Sequence, residues 1–243
     1  MLINCDVKGL EVVVAAELSQ DKVLCQEIRD KVDIHEVNRD RFKLGEGKAG
    51  RLIAKIFKFR LIYGGSAYSY ANDPDFASVG FSQKKWQKII DEYYDKYQGL
   101  GRWHAEIEKE VKSNGSLQIP AGRYFSFAPK KTDYGWKWPI TQIKNYPVQG
   151  FGADLVMLAR IEAFKNFIRA GYEGYFIQTI HDSIVFDIPS KLVYNIGVLC
   201  KNAVEKVPDL CREHFKYDFT LPLTSEITIG PNKKDLKPYD FSS

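Results

Sequence analysis

Between Tyr175 and Ile188, two runs of β-forming residues flank a polar pair, His181-Asp182. Side chains such as Tyr, Phe, Ile and Val suit a pleated, half-buried surface, whereas a carboxylate within such a run is pushed out of the core. The pattern predicts a tight hairpin with Asp182 at its tip. A second strand is predicted at residues 2–7, with Leu2, Asn4 and Asp6 on one face and Ile3, Cys5 and Val7 on the other. It too ends near a carboxylate. Two carboxylates on neighbouring strands can hold two divalent ions about 3.5–4 Å apart. Mg²⁺ takes one or two such ligands and completes its shell with waters and substrate phosphates. Taken singly, Asp6 and Asp182 read better as unrelated turn aspartates.

Helical patterns lie between these strands. Leu10, Val13, Val14 and Leu18 fall at helix spacing; charged, loop-like sequence then leads to Gly45, Gly47 and Gly50. A helix is predicted over residues 51–63, stopping at Gly64-Gly65. Ser82 is a candidate N-cap for a helix striped by Trp86, Ile89, Ile90, Tyr93 and Tyr97, and residues 104–112 continue as helix to Asn114-Gly115. Residues 117–139 read as irregular or hairpin-like, with Arg123, Lys130, Lys131 and Lys137 among aromatics that include Tyr124, Tyr134 and Trp136. A long helix is expected from Phe151 to Gly171, its core face carried by Leu155, Leu158, Ile161, Phe164 and Ile168. Ser190 is placed to cap a helix running toward Pro208, and residues 221–229 form the last strand candidate. Strand, helices, strands, helix and strand in that order suit an α+β fold with one antiparallel sheet.

The 51–63 helix carries Arg51, Lys55, Phe59 and Tyr63, each four residues apart. At about 100° per residue all four share one face roughly 120° wide. A cationic end beside an aromatic end suits a nucleotide, with phosphates on Arg/Lys and the base against a ring. An ordinary amphipathic helix with solvated cations has the same spacing. Asn145 and Gln149, in Asn145-Tyr146-Pro147-Val148-Gln149-Gly150, are amides that can reach base edges in a minor groove, or can serve turn chemistry alone.

Composition narrows the field. With 243 residues, 44% hydrophobic and 27% charged, the chain is an ordinary globular one, and a net charge of +4 permits a polyanionic partner without requiring it. Cys5, Cys25, Cys200 and Cys211 lack close pairing, which favours reduced thiols over a zinc site or disulfide framework. The first residues carry no signal-peptide pattern, and the apolar stretches fall short of a membrane span. The expected location is the cytoplasm.

Together these patterns resemble the family A DNA polymerases. The family's motif A matches Asp6-Val7-Lys8-Gly9-Leu10-Glu11 with Leu18-Ser19-Gln20-Asp21 downstream, its Asp-Ile-His triplet matches Asp33-Ile34-His35, and motif B matches Arg51 through Gly64. The Asn-x-Pro-x-Gln-Gly element matches Asn145 to Gly150, and motif C matches His181-Asp182. Gly9-Leu10-Glu11 and Gly230-Pro231-Asn232 look closer to the phage branch.

The resemblance implies an antiparallel palm sheet packed with helices plus a mostly helical fingers subdomain. Palm is expected at residues 1–35 and 141–243, with fingers at 36–140. It implies template-directed DNA synthesis from dNTPs on a primer–template, with two Mg²⁺ ions. Asp6 and Asp182 are the implied metal ligands, with the Val7 carbonyl as an extra one. Arg51, Lys55 and His35 are the implied triphosphate grip, with Lys55 counted as catalytic beside the two aspartates. Phe59 would stack on the nucleotide, Tyr63 would border the templating base, and Glu11 would fill the space of a ribose 2′-OH. His181 would touch the primer end, and Asn145 and Gln149 would read the minor groove.

Ser183 and Arg60 depart from the family's usual Glu and Gly. Single-subunit RNA polymerases carry a similar His-Asp-Ser, so Ser183 keeps that reading open, and a non-catalytic DNA-binding subunit stays open as well. The family's thumb and exonuclease lie upstream of motif A. A palm without its early strands exposes a sheet edge. The chain is therefore expected to be the C-terminal piece of a split or truncated polymerase, with a second polypeptide supplying the thumb and exonuclease.

Overall fold

The computed structural model describes residues 1–133 and 135–241. Tyr134 lies outside the described residues. The fold is α+β, with one five-stranded antiparallel sheet, two short two-stranded sheets and many helices.

β1 (Leu2–Val7) follows its alternation, with Ile3, Cys5 and Val7 buried. α1 (Leu10–Ser19) comes next. Residues 21–44, read from the sequence as loop, instead contain α2 (Lys22–Arg29) and α3 (Ile34–Phe42). Capping explains them better than periodicity. The Asp21 carboxylate accepts the Leu24 N–H, and Asp33 accepts those of His35 and Glu36. These bonds satisfy donors that a helix N-terminus leaves open.

α4 (Gly47–Ile62) contains the Arg51-to-Phe59 face and starts one turn before Arg51. It ends at Gly64, whose φ of +85° suits glycine. A Cβ on the neighbouring Gly65 would collide with the Tyr70 hydroxyl. α5 (Ala67–Ala71) and α6 (Gln83–Lys96) follow, and Ser82 caps α6 by accepting the Lys85 N–H at 3.3 Å. α7 (Gln98–Asn114) is longer than predicted and stops at left-handed Gly115. Hairpins follow: β2 (Ser116–Gln118) with β3 (Tyr124–Ser126), and β4 (Lys130–Thr132) with β5 (Gly135–Lys137).

α8 (Ile140–Arg169) begins well before Phe151 and runs through Pro147. An interior proline costs about 3 kcal/mol; the fully buried Ile143, Val148 and Phe151 on either side of it offset that cost. Leu155 and Leu158 are buried as the sequence predicts. Ile161, Phe164 and Ile168 are not: they are 40%, 45% and 61% exposed. Leu155, Ala159, Ala163 and Phe167 carry the buried face instead. Two alanines mark it, and their small side chains contribute little to a hydrophobic periodicity.

β6 (Tyr175–Ile180) and β7 (Ser183–Asp187) form the predicted hairpin. α9 (Val193–Glu205) is separated by Lys206 from α10 (Val207–Phe215), where Pro208 occupies the first turn and its missing N–H is not needed. β8 (Ser225–Gly230) starts later than predicted, and β9 (Lys237–Pro238) completes a sheet of order β6-β7-β1-β8-β9. Ile3, Cys5, Ile184, Phe186 and Cys200 lie in its fully buried core.

Contacts divide the chain into a sheet unit (residues 1–10, 120–122 and 150–243) and a helical unit (11–119 and 123–149). The sequence placed the changes at 35/36 and 140/141. Residues 11–35 join the helical unit through buried polar braces. Asp21 accepts the Gly99 and Leu100 N–H groups at 2.6 and 3.2 Å, and Glu27 accepts the Tyr97 hydroxyl at 2.7 Å and pairs with Lys96 at 2.6 Å. Residues 141–149 join it because Lys144 pairs with Glu108 at 2.9 Å and Ile143 packs with Ile107, Val111, Leu117 and Phe127. No helix among the described residues is long and apolar enough to cross a membrane.

Candidate functional site

In the sheet unit, strand register sets the carboxylates. β1 pairs antiparallel with β7 so that Asp6 lies opposite Ser183, and the Val7 N–H donates to the Asp182 carbonyl at 3.1 Å. His181 and Asp182 form the turn between β6 and β7, His181 exposed and Asp182 half-buried. His181 adopts a left-handed φ of +51°, a conformation histidine visits more readily than most residues. Asp6 is half-buried, and the Ser183 hydroxyl donates to its Oδ2 at 2.7 Å. On the other flank, register pairs Asp6 with Glu226 of β8, a residue that no sequence motif marks. Among the described residues, no group of three or more His, Cys, Asp or Glu could hold a metal ion. Asp6, Asp182 and a backbone carbonyl offer only hard oxygen donors in small number. Such a set fits Mg²⁺, which leaves positions to water and phosphate.

In the helical unit, α4 presents Arg51, Lys55 and Phe59, and Tyr63 follows at its C-cap. The Arg51 guanidinium donates to Asp33 Oδ2 at 2.9 Å from Nε, and its other nitrogen lies 2.8 Å from the same oxygen. Asp33 thus caps α3 and anchors Arg51 together. Burial alone would raise the Asp33 carboxyl, but the Arg51 hydrogen bond and the Glu36 N–H outweigh it and hold the pKa below the ordinary value. Lys55 Nζ lies 5.7 Å from the Phe59 ring centroid, within cation–π range. The His35 ring stands 6.1 Å from Phe59, and its Nδ1 is buried without a hydrogen-bond partner. Burial, then Lys58 and Arg51, lower the His35 pKa to about 3, so the ring is neutral at pH 7.

Gln149 donates from Nε2 to the Tyr63 hydroxyl at 2.5 Å. Burial first, then Glu11, pushes the Tyr63 phenol up to about 12. Asn145 lies one turn before Gln149 on α8, and its Oδ1 is buried without a partner. Arg60 is paired with Asp73 and Asp75 and lies 5.3 Å from the Phe76 ring centroid. Its charge is thereby spent on the Pro74–Phe76 turn. Lys58 is the residue that sequence reasoning missed. It is 1% exposed, on the α4 face of Ala54, Phe57 and Leu61. Burial lowers its pKa to about 7 against the opposing pull of Glu27, Asp33 and Glu11. A lysine at an otherwise apolar helical position was the available signal.

A sequence profile of DNA polymerase family A matches residues 1–235. The chain belongs to DNA polymerase family A. Among its relatives, DNA polymerase I of Synechocystis sp. is 25% identical across 98% of this chain and 25% of that protein. DNA polymerase I of Aquifex aeolicus is 28% identical across 75% of this chain and 31% of that protein. A DNA polymerase of Bacillus phage SP01 is 24% identical across 84% of this chain and 21% of its own length. This family A chain therefore spans about a quarter of the length of the curated relatives it matches. Its fold is similar to a solved structure of the POL domain of Pol1 from M. smegmatis, in complex with DNA primer-template and dNTP. The TM-score is 0.79 at 19% identity, over 93% of this chain and 38% of that one.

Proposed function

We propose that this family A chain carries out template-directed DNA synthesis, adding dNTPs to a primer 3′-OH, as part of a larger polymerase. The observation that carries the reading is the β1–β7 register, which sets Asp6 beside the backbone that bears Asp182. In this reading the sheet unit is palm and the helical unit is fingers.

Asp6 and Asp182, with the Val7 carbonyl, would hold two Mg²⁺ ions. When bound, these supply an acidified primer hydroxyl and neutralise charge on the leaving pyrophosphate. The remaining work belongs to the chain's own side chains. Lys55 and Arg51 draw the triphosphate onto α4, with Arg51 released from or shared with Asp33. His35, neutral at pH 7, contributes a hydrogen bond rather than a charge. Phe59 stacks on the incoming nucleotide. Tyr63, fixed by Gln149, borders the templating base, and Glu11 beside it blocks a ribose 2′-OH. His181 meets the primer end, and Asn145 and Gln149 follow the minor groove. The enzyme acts in the cytoplasm on primer–template DNA.

Primer extension tests the proposal. Asp6→Ala and Asp182→Ala are each expected to abolish nucleotide addition while primer–template binding survives. Extension near the wild-type rate by either variant would overturn the assignment.

A further inference from the structure

Met157, Ile161, Phe164 and Ile168 of α8 are exposed by 42%, 40%, 45% and 61%. Their spacing of four, three and four residues is that of alternating core positions in a coiled-coil seam. Such a stripe is normally covered, and contiguous apolar surface of this kind marks an interaction site. Phe164 and Phe176 of β6 meet at 5.8 Å between ring centroids, and with Ile161 they line a shallow groove of about 320 Å³. β6 itself is the terminal strand of the sheet, with Tyr175 77% exposed. Arg160 and Lys165 border the groove. In the seam register they occupy the two flanking positions, where charges select a partner.

We propose that this face docks an amphipathic helix of a separate polypeptide, with an apolar seam flanked by Glu or Asp. The charges choose this occupant over a second copy of the chain. Self-pairing would set Arg160 and Lys165 against the same two cations in a parallel pair and in an antiparallel one. Like charges at these positions oppose association, whereas acidic flanks meet both cations. The seam supplies the buried area and the flanks supply the selectivity.

Two synthetic three-heptad peptides test this with the full chain. Both carry Leu and Ile at seam positions; one has Glu at every flank and the other Lys. Fluorescence anisotropy is expected to show the acidic peptide binding at least about tenfold tighter than the basic one. Phe164→Glu should abolish binding of both. The double variant R160E/K165E, whose two side chains border the groove at the helix surface, should invert the preference; this outcome survives even if Phe164→Glu disturbs folding. Equal binding of the two peptides, no binding of either, or an uninverted preference would overturn the proposal. So would a wild-type dimer in sedimentation that Phe164→Glu dissociates, since the occupant would then be a second copy. No nucleotide enters the assay, so its failure leaves the polymerase reading to stand or fall on primer extension.

Discussion

Lys58→Met is expected to make the protein more stable, and the gain is expected to depend on pH. Lys58 is fully buried in α4, and burial brings its pKa down from 10.5 to about 7. At about 1.4 kcal/mol per pH unit, that difference corresponds to about 5 kcal/mol. The sign follows from proton counting. Below pH 7 the lysine is charged in both folded and unfolded chains, and the fold carries the whole cost. Between about pH 7 and 10.5 the folded chain has lost the proton that the unfolded chain keeps, so wild-type stability rises with pH in this window. Methionine fills a similar volume without charge. The carboxylates near Lys58 keep other partners: Glu27 has Lys96 and Tyr97, and Asp33 has Arg51. Urea unfolding at a series of pH values should show Lys58→Met ahead by about 5 kcal/mol at pH 6, falling to about 2 kcal/mol at pH 9. A variant no more stable than wild type at pH 6, or a difference that does not shrink with pH, would refute the reasoning.

Other outcomes follow from neighbouring observations. Asp21→Ala removes the acceptor of three backbone N–H groups at a site 2% exposed; a loss of about 3–5 kcal/mol is expected in urea unfolding. Ser183→Ala removes the hydroxyl that donates to Asp6, and the Mg²⁺ concentration for half-maximal extension should rise about tenfold. Glu11→Ala should relax sugar discrimination, read as NTP incorporation competing with dNTP on one template; an unchanged preference would remove Glu11 from that role.

The strands and α4 were legible because one strong local signal set each. Alternation marked β1, and β-formers around a polar pair marked the β6–β7 hairpin. The four-residue recurrence of Arg51, Lys55, Phe59 and Tyr63, closed by Gly64, marked α4. What escaped depended on long-range partners. α2 and α3 are short and are secured by Asp21 and Asp33, whose carboxylates also reach Gly99, Leu100 and Arg51. α8 was read too short because Asn145 to Gly150 read as turn chemistry, and its face was misassigned because Ala159 and Ala163 carry less weight than Ile161, Phe164 and Ile168. In the site, motif residues were legible but their pairings were not. Neither the Arg51–Asp33 bond nor the Ser183–Asp6 bond is visible without the fold. Arg60, an apparent intrusion on the nucleotide helix, has its charge met by Asp73 and Asp75.

Binding of Mn²⁺, a paramagnetic stand-in for Mg²⁺, tests the central claim most directly because it needs no turnover. Electron paramagnetic resonance of the full chain with dNTP should show bound Mn²⁺ in the wild type. It should show a large loss of affinity in Asp6→Asn and in Asp182→Asn, with both variants folded. Affinity unchanged by either substitution would mean that the two aspartates do not share an ion, and the account built on the β1–β7 register would be wrong.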